Sequence, residues 1–450
     1  MQLKKLWGPV GGIGLAFFAG QGYVQAADAE LLDILLANGA ITKAQYDKLL
    51  KKKEPLTKND VSVSLKKGLQ FKTPDGNFKM KIGGRLHAQA AYHSEDHIGG
   101  EDATDGVEIR RGRLYAKGVM YRDWKYSAQY DFAGNKTHIK DLWLAYTGLD
   151  WLPFIGIGHQ KQPYSLEVEM SSNDIPFVER ALDYAFTESV VDRAIGLRLQ
   201  SHGSHWFAAG GVYGSTIGAP KKGGDEGWGT AGRFVFSPLH DENQVIHLGV
   251  RGAYRVPDDK DRTERFRFET THQSSLYLVD TGNIANVDNT VLAGAEAAVV
   301  YGPAALVGEY THAFVNRKGG LNDLDFNGFH VQATWSLTGE TRAASYKLKD
   351  GEFKRLKPAH YFSPSTGGWG AWEVAARYGW IDLNDQDVRG GKAQDISVAL
   401  NWYLNRNIRF MLDYTHVLDT NHALGRKWNN QADNEADGLD IVQVRGQLTF

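Results

Sequence analysis

The stretch Phe78–His93, FKMKIGGRLHAQAAYH, decides how this chain folds. Phe78, Met80, Ile82, Leu86, Ala88, Ala90 and Tyr92 fall on one side of a two-residue period, and Lys79, Lys81, Arg85, His87, Gln89 and His93 on the other. Such alternation marks a strand with one apolar face and one wet face. The period returns at 124–132 (WKYSAQYDF), at 329–337 (FHVQATWSL) and in the last ten residues, IVQVRGQLTF. From Val61 onward about sixteen such segments can be placed, centred near 85, 114, 128, 142, 157, 197, 208, 232, 250, 296, 309, 332, 376, 398, 412 and 444.

The bulk numbers narrow the reading. The net charge of −2 over 450 residues gives no overall basicity for nucleic acid, so no nucleic-acid partner is expected. Cysteine is absent, which excludes a disulfide scaffold and any thiolate metal site. Residues 1–26 read as a secretory signal: Lys4 and Lys5, then the apolar GPVGGIGLAFFAG, then a small-residue cleavage site at Ala26. That apolar core is shorter than the ~20 residues a spanning helix needs. A membrane-embedded mature chain must therefore be a closed barrel, because open sheet edges have no partners in lipid. Residues 27–55 have helical periodicity instead. Leu32, Leu35 and Leu36 make a stripe, Asn38-Gly39 breaks it, Thr42 and Gln45 form a capping box, and Pro55 stops the second helix. We expect a short periplasmic helical segment here, either a spacer or a self-association module.

Connections between the strands alternate in length. Short turns such as 121–124, 201–204, 301–304 and 404–407 occupy every second gap, and longer polar loops occupy 94–106, 163–191, 214–227, 256–288 and 419–436. The 30-residue stretch around 339–368 breaks this alternation, since it falls on the short-turn side. Trp124, Tyr146, Trp151, Tyr301, Trp335, Trp372, Trp380, Trp402 and Tyr414 gather near strand ends, as interfacial girdles do and as a soluble sandwich would not. The predicted fold is all-β: a transmembrane antiparallel barrel of about sixteen strands over 61–450, preceded by the helical segment. Phe450 would close the last strand and be read by the barrel-insertion machinery.

The residues also resemble a known family, the phosphate-selective porin O/P group of Gram-negative outer membranes. The resemblance is sharpest in RRGRLYAKGVMYRDWKYSAQYDFAG, in GHQKQPYSLEVEMSSNDIPFVERA and in GWGAWEVAARYGWIDLND followed by LNWYLN. It implies a homotrimeric channel for small inorganic anions, set among outer-membrane lipid and lipopolysaccharide, with a third loop near 163–191 folded inward as a constriction. It further implies that Arg110 and Arg111 stand near that constriction with Asp141, and that Arg265 and Arg267 belong to an arginine ladder at the outer mouth.

Phasing the strands by their apolar sides lists inward charges without using the family. Lys79, Lys81, Arg85, Arg111, Arg113, Lys117, Lys125, Arg198, Arg233, Arg251, Arg255, Arg377, Arg409 and Arg445 face Asp131, Asp141, Glu296, Glu309, Glu373 and Asp413. Such an excess inside a low-dielectric wall attracts anions, and the planar arginine fork suits oxyanions. Strict alternation places Arg110 and Arg111 on opposite faces. The loop itself is acidic: Glu167, Glu169, Asp174 and Glu179 meet only Lys161, Arg180 and Arg193, and Val168 stands where the phosphate channels carry a lysine. The expectation is thus an anion-preferring pore, plausibly for phosphate or polyphosphate. The alternatives are a weakly selective or cation-preferring pore and, remotely, a barrel enzyme or a structural barrel. No cofactor or metal is expected.

Overall fold

The computed structural model describes residues 33–46, 61–65, 68–95, 97–98, 101–214, 217–218, 224–269, 271–274, 276–421 and 436–450. The expected signal sequence with its cleavage site at Ala26, Leu32 of the leucine stripe, and the part of the expected second helix beyond Tyr46 lie outside these residues. The chain divides into two units, 1–60 and 61–450. In the first, helical turns at 33–37 and 43–46 flank Gly39, whose φ of 68° ends the first turn. Thr42 and Gln45 form the capping box, with Thr42 N donating to Gln45 Oε1 at 2.8 Å and Gln45 N to Thr42 Oγ1 at 3.2 Å.

The second unit is a closed antiparallel barrel of sixteen strands. In chain order these are β1 (Phe78–His93), β2 (Gly106–Met120), β3 (Trp124–Asp131), β4 (His138–Tyr146), β5 (Phe154–Lys161), β6 (Arg193–His202), β7 (Trp206–Gly214) and β8 (Trp228–His240). There follow β9 (Gln244–Val256), β10 (Val287–Tyr301), β11 (Ala304–Arg317), β12 (Leu324–Ser336), β13 (Ala371–Asp385), β14 (Val388–Tyr403), β15 (Ile408–Asn421) and β16 (Asp440–Thr449). Every expected strand centre falls inside one of them. β16 pairs with β1 from Ile441↔His93 to Thr449↔Arg85, and that seam closes the barrel. Where β16 ends, Leu69–Lys72 continues along β1 opposite Lys79–Ile82.

The two-residue period sorts side chains as the sequence required. On β1, Leu86 and Tyr92 are exposed on the outer face, while His87, Gln89 and His93 are buried inside. Rings cluster on the outer face at the short-turn end: Trp124 lies 5.2 Å from Tyr146, and Trp372 stacks on Trp402 at 5.0 Å. An apolar outer band bordered by such rings matches a bilayer.

Three connections fold into the barrel. The segment 162–192 is held by wall groups at nearly every step. Glu296 and Glu309 accept the N–H groups of Leu166 and Glu167 at 2.9 and 2.7 Å, and Lys161 Nζ donates to the carbonyls of Val168, Glu169 and Met170 at 2.5–3.2 Å. The short helix Leu166–Glu169 thus has carboxylates at its N-terminus and a cation at its C-terminus, which meets both its orphan backbone groups and its dipole. Further along, Arg409 donates to the carbonyls of Ile175 and Pro176, Asp413 accepts Val178 N, and Arg377 donates to the Glu179 carbonyl.

The irregular segment 337–370 enters from the other end. Arg342 pairs with Glu373 at 2.7 and 2.8 Å, and Arg233 donates to the Gly351 carbonyl at 2.8 Å. Gly351, at φ 61°, leaves room for the Phe207 ring, which a Cβ would meet at 2.8 Å. The third segment, 257–286, buries Phe266, Leu276, Leu278, Val279 and Ile284 beneath the long-loop end.

Glu296 is the centre of the anchoring. It accepts from Arg233 at 2.5 and 2.8 Å, from Arg251 at 3.0 Å and from Leu166 N, and it lies 3.0 Å from His247 Nε2. Glu296→Ala leaves two buried guanidiniums short of a partner, at a cost of about 3–5 kcal/mol. The expected result is a lower thermal midpoint in detergent together with noisier single-channel currents as 162–192 loosens. An unchanged midpoint and quiet currents would show that the segment is held without Glu296.

Candidate functional site: the open lumen

The inward segments leave the lumen open along one wall. Its border on β1–β6 consists of Arg85, Arg110, Arg111, Arg113, Tyr115, Lys117, Ser127, Gln129, Lys140, Asp141, Trp143, Phe154, Gln160, Lys161, Arg193, Arg198 and Gln200. Facing them stand Val168, Glu169, Ser171–Asp174, Glu179, Arg180, Tyr184, Glu188 and Asp192 of the segment 162–192, Phe268, Glu269 and His272 of 257–286, and Glu352 and Lys354 of 337–370.

Two β-bulges shape this wall. β1 and β2 pair as His87↔Arg111 and then Ala88↔Ile109, which leaves Arg110 as an extra residue. The extra residue breaks the alternation, so Arg110 and Arg111 both face the lumen. This corrects the expectation of opposite faces. β3 and β4 behave alike: Gln129↔Asp141 is followed by Tyr130↔Ile139, and the extra residue Lys140 faces inward beside Asp141.

Many of the charges are paired. Arg110 lies 3.2 Å from Glu179, Arg113 2.6 Å from Asp131, Arg193 3.0 Å from Asp141 and 3.4 Å from Asp192, and Arg198 3.2 Å from Glu169. Lys354 pairs with Glu352, and Arg445 reaches Glu179 at 3.0 Å. Burial opposes the charge on Glu179, but Arg110, Arg445 and Arg111 outweigh it and hold that carboxyl well below the usual range. Among the described residues the lining cations Arg85, Arg111, Lys117, Lys140, Lys161 and Arg180 have no carboxylate partner, whereas only Asp174, Glu188 and Glu269 are lining carboxylates without a cation. Arg85 donates to the hydroxyls of Ser171 and Ser172 at 3.2 and 3.0 Å, Arg180 to the carbonyls of Glu167 and Met170, and Lys117 sits 4.9 Å from the Tyr115 ring centre.

Of the residues expected to line the pore, Arg85, Arg110, Arg111, Arg113 and Arg198 do border the open lumen, as do Asp141, Lys161, Glu169, Glu179 and Arg180. The others are placed elsewhere. Arg251 is buried between Glu296 and Glu309, and Arg377 is buried beneath 162–192, because wall carboxylates and loop carbonyls inside the barrel need donors. Glu167 is buried beside Asp183 and His330, the latter two 2.8 Å apart, and faces away from the opening. Arg255 donates to the Gly214 carbonyl, and Arg265 is paired with Asp280 at 2.7 Å while Arg267 stacks on Tyr277, so none of the three borders the opening. Lys79 and Lys81 lie beyond the lining at the short-turn end, Lys81 over the Tyr115 ring. Lys140, Glu352 and Lys354 were missed. No sequence signal marks the bulge that turns Lys140 inward, but the length of 339–368 did mark a segment with an unusual task.

The cluster Glu167, Asp183 and His330 brings three ligand-type atoms within 4.8 Å of one another. The hydrogen bond from His330 Nδ1 to Asp183 accounts for that proximity as a tie between loop and wall.

Comparison with known proteins agrees with this architecture. The chain is 25% identical over 414 residues to Porin O of Pseudomonas aeruginosa, covering 84% of this chain and 91% of that one. An uncharacterized protein of Caulobacter vibrioides is 29% identical over 366 residues, covering 77% of this chain and 69% of its own length. Among solved structures, an anion-selective porin from Comamonas acidovorans superposes with a TM-score of 0.52 at 14% identity, covering 83% of this chain and all of that one. OmpT, an outer membrane protein of Vibrio cholerae, does so with a TM-score of 0.52 at 10% identity, covering 83% and 98%. The profile of the family described as phosphate-selective porin O and P matches residues 80–450. With its sixteen-stranded wall and that match along most of its length, the chain is an outer-membrane porin and belongs to the porin O and P family.

Proposed function

We propose that this porin is a passive diffusion channel that prefers small anions, phosphate among them, and works as a homotrimer in a Gram-negative outer membrane. One observation carries the preference: among the described residues, six lining cations without a carboxylate partner face three lining carboxylates without a cation. A water-filled lumen in a low-dielectric wall focuses that excess and raises the local anion concentration. The family's description as phosphate-selective and the anion-selective Comamonas neighbour support the same reading.

Reversal potential across a KCl gradient in planar bilayers tests it. Chloride is expected to be the more permeant ion. Arg111 contributes a guanidinium with no carboxylate partner among the described residues, so Arg111→Ala removes a full charge from the wall. A unit charge about 6 Å away in bulk-like water acts with roughly 0.7 kcal/mol on each ion, favourably on chloride and unfavourably on potassium, so the chloride-to-potassium ratio should fall about tenfold. Potassium preference in the unaltered channel would overturn the proposal.

Acidity supplies a second check. Burial pushes the Glu352 carboxyl above the usual carboxylate range, and burial with Glu269 and Asp192 nearby does the same to Glu188. A raised carboxyl takes up its proton at a higher pH than its neighbours, so mild acid removes negative charge from this lumen first. Chloride preference is therefore expected to rise as pH falls from about 7.5 to about 5.5. Glu352→Gln should show part of that rise already at neutral pH and respond less to acid.

A further inference from the structure

Resting on the reading of this lumen as an anion path, we propose that it carries a binding site for planar aromatic carboxylates, formed by Lys117, Ser127 and Trp143. The three residues stand on one rung of adjacent strands, since Lys117 pairs with Ser127 and Ser127 with Trp143. All three border the open lumen. Two strand spacings, about 10 Å, thus hold an ammonium at one end, a small hydroxyl residue in the middle and an indole at the other end. The serine keeps the middle low, so a flat ring can lie between a cation for its carboxylate and an aromatic partner for its edge.

Behind Trp143 the backbones of β4 and β5 approach closely: at Gly158, whose φ is 130°, a Cβ would strike the Leu142 carbonyl and Trp143 Cα. Phe154 packs edge-on to Trp143 at 5.5 Å and has its own glycine, Gly156, where a Cβ would strike the ring at 2.5 Å. Tyr115 repeats the arrangement over Gly83. Phe154 and Tyr115 thus lie over glycines on the inner face, and Phe154 gives Trp143 an aromatic neighbour at the lumen. Arg198 pairs with Gly156 across β5 and β6 and supplies a second cation beside the rings.

Benzoate and acetate carry the same charge and differ by the ring. Added at equal concentration to single channels in KCl, benzoate is expected to reduce the current at concentrations where acetate does not. Trp143→Ala should weaken the benzoate block about fivefold, the scale of one lost aromatic contact. Trp143→Phe, which restores an aromatic ring, should recover part of it, and Lys117→Gln should weaken it as well. Equal block by the two anions in the unaltered channel, or full benzoate block in Trp143→Ala, would overturn this proposal. The reversal potential in KCl alone reports on the anion preference separately: a potassium-preferring channel would defeat the parent reading whatever benzoate does.

Discussion

The lumen depends on the cluster in which Glu296 joins Arg233, Arg251 and His247 to the N-terminus of the helix Leu166–Glu169. A sixteen-stranded barrel is wide enough to hold an aqueous interior, and an irregular segment inside it would otherwise wander. Here a wall carboxylate, itself neutralised by two wall guanidiniums, takes the first free N–H of that segment. Neither half is stable alone. Without the arginines the carboxylate would be an unpaired buried charge, and without the carboxylate the Leu166 N–H would be an orphan donor at the helix N-terminus.

The same logic extends around the barrel and divides it in two. Arg233, Arg377 and Arg409 donate to carbonyls of inserted segments, which lack the partners that strands give one another. The wall from β8 to β15 is in this way a scaffold for loops. On the wall from β1 to β6, Lys161 and Gln200 also donate to inserted carbonyls, whereas Arg85, Arg111 and Lys117 donate to none among the described residues and line the open lumen instead. The division between bracing and lining arginines therefore follows from where the loops lie, and not from residue type.

This explains what could be read beforehand. The strand period is a local property, and Phe78–His93 or Ile441–Phe450 declares it without help, so all sixteen strands were legible. Which inward arginine meets water is a tertiary property. Arg251 and Arg85 look alike in sequence, yet one is enclosed by Glu296 and Glu309 and the other reaches serine hydroxyls. The bulges at Arg110 and Lys140 were illegible for a different reason. An extra residue shifts one strand against its partner, and a period read on a single strand has no partner to be measured against.

The acidic character of 162–192 points to a lumen that repels anions, and the pairing of its carboxylates is what the proposed anion preference sets against that. Glu169 and Glu179 each lie within about 3 Å of an arginine, the distance of a charge-assisted hydrogen bond. A solute several ångströms away meets such a pair as a dipole, whose field falls faster with distance than that of a lone charge. Arg111, Lys117 and Lys140 act as lone charges, and salt screens them only over roughly 8 Å at physiological strength. On the proposed reading, the field along the open wall is set by these unpaired cations, and the loop carboxylates enter it mainly by fixing where the paired arginines stand.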